Sequence, residues 1–591
     1  MPPTTPPQTP PPPPSAAAGS LPAWPGIGAW LPHGAIVLLA LLPALSLLSH
    51  EFVLDGILII RDNPAVHTLA APWQLFAREY WPPPYSAGLY RPLSSLLFAV
   101  EWSLGGGSPA LFHGVSIMLY AALCLTVYRL TRLLLPPLGA WASAALFAVH
   151  PVHTEAVASA VNQSELIVAL LLTMATIRYL TARRTGGPAP RQTGALLALY
   201  LAAMFTKEHA VIMPALLLAV ELTAVSRGCA WRQRFREAGP FYLAAGVAAA
   251  IFIALRTAVL GGNPIGSYAA DALVGQGIGA RLLTMLAVVP EWARLLFWPS
   301  HLQADYGPRE IVAAGGWGPG QTAGLLLTGL LILALVRSWR GRPVAALALL
   351  WIAMALGPVH NVLVPTGVVL AERTLLLASL GATLLAGVAV SMALSRTRGT
   401  TTRSARVAVA TVLGALLALG AWRSARRYPA WRSQYTLARR TASDAPLSYR
   451  AHFMYGEVLD RLNRRQEAER EYRAATLLVP GGIAKGSAVA RRAARAYEGL
   501  GNLYGRSGLC GPAVEAWRNA LDQAASVEYN EVRRSLIACL LYLGEYRRAA
   551  AEARIGIAGG WRPERYRGML RTADSALAVG APPGSVRISL E

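Results

Sequence analysis

Eleven apolar runs, each long enough for a helix to cross a bilayer, constrain this chain more than any other feature. The first covers about residues 27–48, and the others centre near 119, 144, 171, 200, 217, 249, 329, 350, 384 and 413. A hydrocarbon core of about 30 Å takes about 20 helical residues, so the fold class expected is an all-α, polytopic membrane domain. Charge agrees. Only 14% of residues are charged, against about 25% in soluble domains, and the mean hydropathy is +0.39. Residues 1–421 hold 26 Lys/Arg and 15 Asp/Glu, whereas the 170 residues from 422 to 591 hold 28 and 16. A membrane domain over 27–421 followed by a water-soluble domain over 422–591 accounts for the break. Residues 1–22 carry ten prolines and no charge, so 1–26 reads as a disordered tail. The first run lacks a basic leader and ends in LLSHEF, which marks it as an uncleaved first helix. Collagen, disulfide-scaffold and wholly disordered classes are excluded.

Arginine clusters follow alternate spans: 129–132, 178–191, 227–236, 337–342 and 396–406. Basic residues favour the cytoplasmic side, which leaves the loops at 50–109, 150–162, 206–210, 258–320 and 358–373 outside together with the C-terminal domain. Many of the basic residues before 421 flank apolar spans and serve orientation, so the net charge of +23 does not point to nucleic acid, and no nucleic-acid partner is expected. Residues 281–300 are also apolar, but Arg281, Glu291 and Arg294 suit a helix at the interface. Were it to span, the arginine count would barely distinguish the two orientations. Arginine supplies 52 of the 54 basic residues, as expected of a high-GC bacterium. Cys510 and Cys539 have no metal-ligand spacing and are expected as buried free thiols, with a disulfide the alternative outside the cytoplasm.

The soluble domain repeats itself. Tetratricopeptide units run about 34 residues, with small residues where helix A meets helix B. One register places Gly456, Ala468, Tyr472, Ala475 and Pro480 at signature positions; a second places Tyr497, Leu500, Gly501, Tyr504, Gly508, Ala513, Trp517 and Ala520. A third, degenerate unit follows around Gly544 and Ala549. Such a helical solenoid usually holds a polypeptide; an antiparallel bundle is the plainer alternative.

Polar residues beside spans are costly and tend to be functional. Asp55, in FVLDG, lies about one turn beyond the first span, where it could serve as a general base or merely cap a helix. Arg91 precedes a helix opened by Pro92 and offers a phosphate-binding fork, or an interfacial anchor. FAVHPVHTEAVASAVNQSEL gathers His150, His153, Glu155, Asn162 and Glu165, a mixture compatible with a divalent cation although the HExxH spacing is absent. FTKEHAV sets Lys207, Glu208 and His209 between two apolar helices, where Lys207 either snorkels or binds an anion. Glu372 and Arg373 stand directly before span 10, either at the site or as an intrahelical pair that eases insertion.

Taken in order, these stretches resemble the transmembrane and tetratricopeptide-repeat-containing O-mannosyltransferases, glycosyltransferases of the GT-C fold. FVLDG resembles that family's F-V-Y-D-D, YRPLSSLLFAVEW its Y-R-P-L segment, HPVHTEAV the same words, KEHAV its K-E segment, and NVLVPTGVVLAERTLLLASLG its N-L-L-F-P-x-G-x-x-x-A-E-R-x-L-Y-x-P-S-x-G. The likeness covers roughly 28–420, and the repeats carry it to the C-terminus. Gly56 departs from the pattern, standing where the family has a second Asp.

The resemblance implies a GT-C enzyme with a cytoplasmic N-terminus and its repeats outside, in a bacterial inner membrane. It implies a polyprenyl-phosphate sugar as donor and inverting transfer of a hexose such as mannose to Ser/Thr of a secreted protein held by the repeats. Asp55 is then the base and Glu155 a second acid; Arg91, Lys207 and Arg373 hold the donor phosphate, with His150, His153, Glu208 and Glu372 in support. No cofactor is required by this scheme, and a divalent cation stays open. Two rivals stand beside it: a GT-C enzyme that glycosylates envelope lipid or polysaccharide, and a non-catalytic membrane-anchored repeat scaffold.

Overall fold

The computed structural model describes residues 27–185, 187, 189–225, 231–262, 269–307, 309–396, 402–481, 485–525 and 529–587. The proline-rich tail, 1–26, lies outside them. The described residues form helices and turns with no strand, which makes the chain an all-α protein.

Seven helices are long and apolar enough to cross a membrane: Trp30–Ser49, Pro109–Leu134, Ala160–Arg184, Arg232–Val259, Pro319–Gly341, Glu372–Ser395 and Arg403–Trp431. The chain is a multi-pass membrane protein. The outer faces of two of these helices explain why lipid is needed. Leu325, Leu326, Leu330, Ile332, Leu333 and Val336 on one, and Val407, Val412, Leu416 and Leu419 on the other, are all exposed, a patch no water-soluble fold would leave bare.

The remaining four apolar runs form shorter helices, Pro137–Ala148, Pro190–Thr206, Met213–Thr223 and Pro343–Leu356. At 1.5 Å per residue, the 12- and 11-residue members reach only about half of a bilayer core. They end where prolines and short 3-10 turns interrupt the helix, at Pro151–His153 and Glu208–Ile212, and they pack inside the bundle. The doubtful 281–300 segment is a helix, Ile278–Phe297. Its buried residues, Thr284, Met285, Val288, Trp292, Leu295 and Leu296, recur at helical spacing along one face, as an amphipathic helix requires.

Residues 50–109 fold into a compact cap. Phe52, Ile59, Ile60, Val66, Leu75, Tyr80 and Phe98 form its own small core against Phe112, Ala160 and Val161. A helix, Pro92–Gly105, starts on Pro92 and stops at Gly106 in a left-handed conformation, the preferred residues for each end.

After the last long helix the chain forms Gln434–Asp444 and then three consecutive helix pairs, Tyr449–Arg461 with Arg465–Leu478, Ala488–Arg506 with Cys510–Ala524, and Asn530–Tyr542 with Tyr546–Ala558, closed by Pro563–Ala578. The small residues of the repeat register are needed sterically. A Cβ on Gly456 would come within 2.8 Å of the Tyr472 ring, and one on Gly501 within 2.5 Å of the Trp517 ring. The expectation of free thiols at Cys510 and Cys539 is corrected: with their Cα atoms 5.1 Å apart, they form a disulfide. Spacing alone could not show that the first residue of one helix faces the last turns of the next.

This C-terminal unit docks on the loop at 269–307. Buried Asp271 pairs with Arg492 at 2.5 Å and accepts from the Tyr449 hydroxyl at 2.8 Å. Asp305 pairs with Arg450, and Arg427 meets Asp444 at 2.5 Å where the two parts join. It also touches the Asp55 loop, where the Leu54 N–H meets Gln434 and the Glu51 N–H meets the Arg432 carbonyl.

Candidate active site

Four segments meet beside the cap core, and three of them deliver a cation paired with a carboxylate from another segment. Arg91, just before the Pro92 helix, donates from Nε to Glu208 Oε2 at 2.9 Å, while its guanidinium lies over the Tyr80 ring, 5.1 Å from the centroid. Glu208 also takes the Tyr90 N–H at 3.2 Å and Arg256 Nη1 at 2.9 Å. Lys207 Nζ donates to Glu165 Oε1 at 2.6 Å, with His209 Nε2 3.5 Å from the other oxygen. Arg373 pairs with Glu155, which accepts both its guanidinium and, at 3.0 Å, its backbone N–H.

Asp55 lies within electrostatic reach of all three pairs. Its carboxylate is electrostatically coupled to Arg373, Glu155, Arg91 and Lys207, and Arg373 is coupled in turn to Glu165. The five motifs, spread over more than 300 positions, thus supply one cluster. Among the described residues the Asp55 carboxylate has no hydrogen-bond or ion-pair partner, and it is exposed. A capping carboxylate would accept a backbone N–H; this one does not, so the capping alternative is removed. Protein nevertheless encloses it on most sides. That burial raises its pKa, with Glu155 adding to the effect and Arg373, Arg91 and Lys207 opposing it.

The turn that presents Asp55 is strained. Leu54 has φ +49°, in the left-handed region that costs an L-residue about 1–2 kcal/mol. Gly56, by contrast, has φ −62°, and a Cβ there would meet only Phe52 at 3.7 Å. Nothing steric demands glycine at that position. Gly56→Asp is accordingly expected to fold with a melting temperature within a few degrees of the parent, checked by thermal unfolding in detergent.

Other candidates divide. Burial drives His150 down to about 4 and His153 well below its ordinary value. Both nitrogens of each are engaged: His150 with the Leu296 carbonyl at 3.0 Å and the Val152 N–H at 3.3 Å, His153 with the Tyr120 hydroxyl at 2.8 Å and the Ser379 hydroxyl at 2.7 Å. They brace the loop that carries Glu155. Glu372 faces away from Arg373, taking the Gln303 N–H at 2.5 Å and the Tyr306 hydroxyl at 3.1 Å, so the intrahelical-pair alternative is corrected. Among the described residues no group of three His, Cys, Asp or Glu side chains could hold a metal ion. Arg256 was not foreseen. Its only sequence signal is a lone cation near the end of an apolar helix.

Of the three candidate phosphate ligands, Arg373 is the most open, its side chain 26% exposed against 14% for Arg91 and 13% for Lys207. It also lines a small cavity of about 40 Å³ whose wall includes Asp271 and Asp305 of the 269–307 loop and Arg450 of the C-terminal unit.

No protein-family model matches the chain. Curated relatives do. It is 34% identical to Protein O-mannosyl-transferase Tmtc2 of Drosophila melanogaster over 289 residues, 46% of this chain and 30% of that one. With Protein O-mannosyl-transferase TMTC1 of Homo sapiens it shares 27% identity over 510 residues, 76% of this chain and 55% of the relative. With TMTC4 of Mus musculus the figures are 26% over 476 residues, 72% and 63%. Over these shared stretches the chain is similar to the TMTC O-mannosyl-transferases. The TMTC likeness expected from the ordered motifs is thereby established, although the chain spans only about a third to a half of the first two relatives' length.

Proposed function

We propose that this chain is a TMTC-type membrane glycosyltransferase that moves a hexose such as mannose from a polyprenyl-phosphate donor to a Ser or Thr hydroxyl of a protein. The observation that carries the reading is the unpaired, accessible Asp55 carboxylate amid three cation–carboxylate pairs. The names of the relatives, protein O-mannosyl-transferases, support it.

In the proposed reaction the acceptor hydroxyl attacks the anomeric carbon from the face opposite the phosphate. A new carbon–oxygen bond forms, the bond from that carbon to the phosphate oxygen breaks, and the configuration inverts. Asp55 takes the hydroxyl proton; its raised pKa makes it a stronger base than an ordinary carboxylate. The lipid phosphate leaves with the bonding pair, and Arg373, the most open cation, stabilises its growing charge while Arg91 and Lys207 deepen the positive field. Preorganised charge of this kind is usually the largest catalytic term. Because the phosphate leaves without a proton, no second carboxylic acid is required, and Glu155 serves to hold Arg373.

The C-terminal helix pairs read as tetratricopeptide units over 422–591, and their docking beside the Asp55 loop supports a protein acceptor. The Cys510–Cys539 disulfide supports an oxidising compartment, hence repeats in the periplasm of a bacterium and a cytoplasmic N-terminus.

The test is transfer by purified protein in nanodiscs from a radiolabelled polyprenyl-phosphate mannose. Label in a Ser/Thr-bearing secreted polypeptide is the expected result. Label in lipid or glycan alone would favour an envelope substrate, and no label across a panel of donor sugars and acceptors would favour the scaffold.

A further inference from the structure

We propose that Gln434, the first residue of the first helix of the C-terminal domain, is a positioning residue that holds the Asp55 turn in its working shape, so that docking of this domain sets the transfer rate. The inference rests on the reading of Asp55 as the base.

Two bonds cross from the C-terminal domain to the turn. Gln434 Oε1 accepts the Leu54 N–H at 2.9 Å, and the Arg432 carbonyl accepts the Glu51 N–H at 3.0 Å. The first falls on the residue with φ +49°, directly before Asp55. Leucine does not hold a left-handed conformation on its own account; such strain persists only where the surroundings impose it. The bonds inside the turn, Gly56 N–H to Val53 O at 3.0 Å and Ile57 N–H to Leu54 O at 3.1 Å, close it but leave the Leu54 N–H to Gln434.

The clamp itself is fixed. Ser433 caps the helix, its Oγ accepting the Thr436 N–H at 3.2 Å while Thr436 Oγ1 accepts the Ser433 N–H at 3.0 Å. Leu437 and Ala438 are fully buried. At the far end of the same helix Asp444 pairs with Arg427 at 2.5 Å, and its carbonyl accepts from Gln303 Nε2 at 3.0 Å. The backbone N–H of that same Gln303 meets Glu372, next to Arg373. One helix therefore touches the base's turn at its start and reaches, through Gln303, Glu372 beside the phosphate-binding arginine at its end.

Gln434→Leu removes the acceptor oxygen while keeping the bulk; Gln434→Glu keeps the oxygen. In Gln434→Leu, kcat is expected to fall by about 10- to 100-fold, the loss that follows a misplacement of about 1 Å, with KM for the donor within about twofold. Gln434→Glu restores most of the rate. Adding Leu54→Gly to Gln434→Leu recovers part of it, because glycine adopts positive φ without strain. Hydrogen exchange over residues 51–61 is expected to accelerate in Gln434→Leu and to stay unchanged in Gln434→Glu. Unchanged exchange in Gln434→Leu overturns the clamp whatever the transfer assay reads. Accelerated exchange with an unaltered kcat, or a change in KM alone, overturns the positioning role. If the wild type transfers nothing while exchange still accelerates in Gln434→Leu, the Asp55 reading fails and the clamp stands.

Discussion

Asp55→Asn should lower sugar transfer by about 100- to 10,000-fold, the usual loss when a general base is removed, while leaving the fold intact. The amide has nearly the shape of the carboxylate but cannot take the acceptor's proton. Since the carboxylate has no partner among the described residues, its replacement breaks no internal bond, and the melting temperature should stay within a few degrees. Wild-type kcat/KM should rise with pH through a pKa above the ordinary carboxylate range, because enclosure raises that of Asp55, and this limb should vanish in Asp55→Asn. Single-turnover transfer with a radiolabelled donor, read beside thermal unfolding, checks both halves. A variant with most of the wild-type rate would move the base elsewhere, and Glu155, locked to Arg373, would have to release its partner to take the role.

The second large effect is on stability. Glu208→Gln leaves the guanidiniums of Arg91 and Arg256 facing a neutral amide, and breaking one side of a buried pair typically costs about 3–5 kcal/mol. The retained amide oxygen puts the expectation near the lower end, seen as a drop of several degrees in the unfolding temperature of purified protein. The pH dependence has a definite sign. Burial disfavours the Glu208 anion, yet Arg91 and Arg256 hold its pKa down to about 2 from an ordinary 4.5. A depressed carboxylate contributes its full stability above the unfolded value and loses it as pH falls through the folded one. The contribution should therefore be complete at neutral pH, begin to fade below about 4.5 and be gone below about 2. In Glu208→Gln that part of the acid sensitivity should be missing. An unfolding temperature equal to that of the parent would mean that the arginines are solvated and that the cluster is looser than described.

Much of this site was legible as a set of residues, far less as a set of partners. Asp55, Arg91, Glu155, Lys207 and Arg373 are polar groups that a membrane does not need, all in loops the arginine pattern puts on one side, and the fold does bring them to one cluster. Their pairing was not legible. Adjacent Glu372 and Arg373 look like a pair, but the 3-10 turn at Glu372–Leu375 sends them to Tyr306 and Glu155 in different directions. Gln434 carries no charge and falls in a soluble helix 380 residues from its partner, so neither period nor composition marks it. The close-packed helix pairs of the C-terminal unit were legible because their signal is steric: Gly456 and Gly501 are small where Tyr472 and Trp517 would collide with anything larger. Helix length was less legible, since apolar runs such as that around 217 contain turns that hydropathy averages away.

The claim that these turns form one donor-binding, base-containing site is tested most directly by a density map of the protein with a polyprenyl-phosphate sugar bound in nanodiscs. Phosphate density is expected within hydrogen-bond distance of Arg373, with the lipid running among the membrane helices and the anomeric carbon facing Asp55 with room between them for one hydroxyl. Donor density on another face of the membrane domain, or a sugar shielded from Asp55 by an ordered side chain, would contradict it.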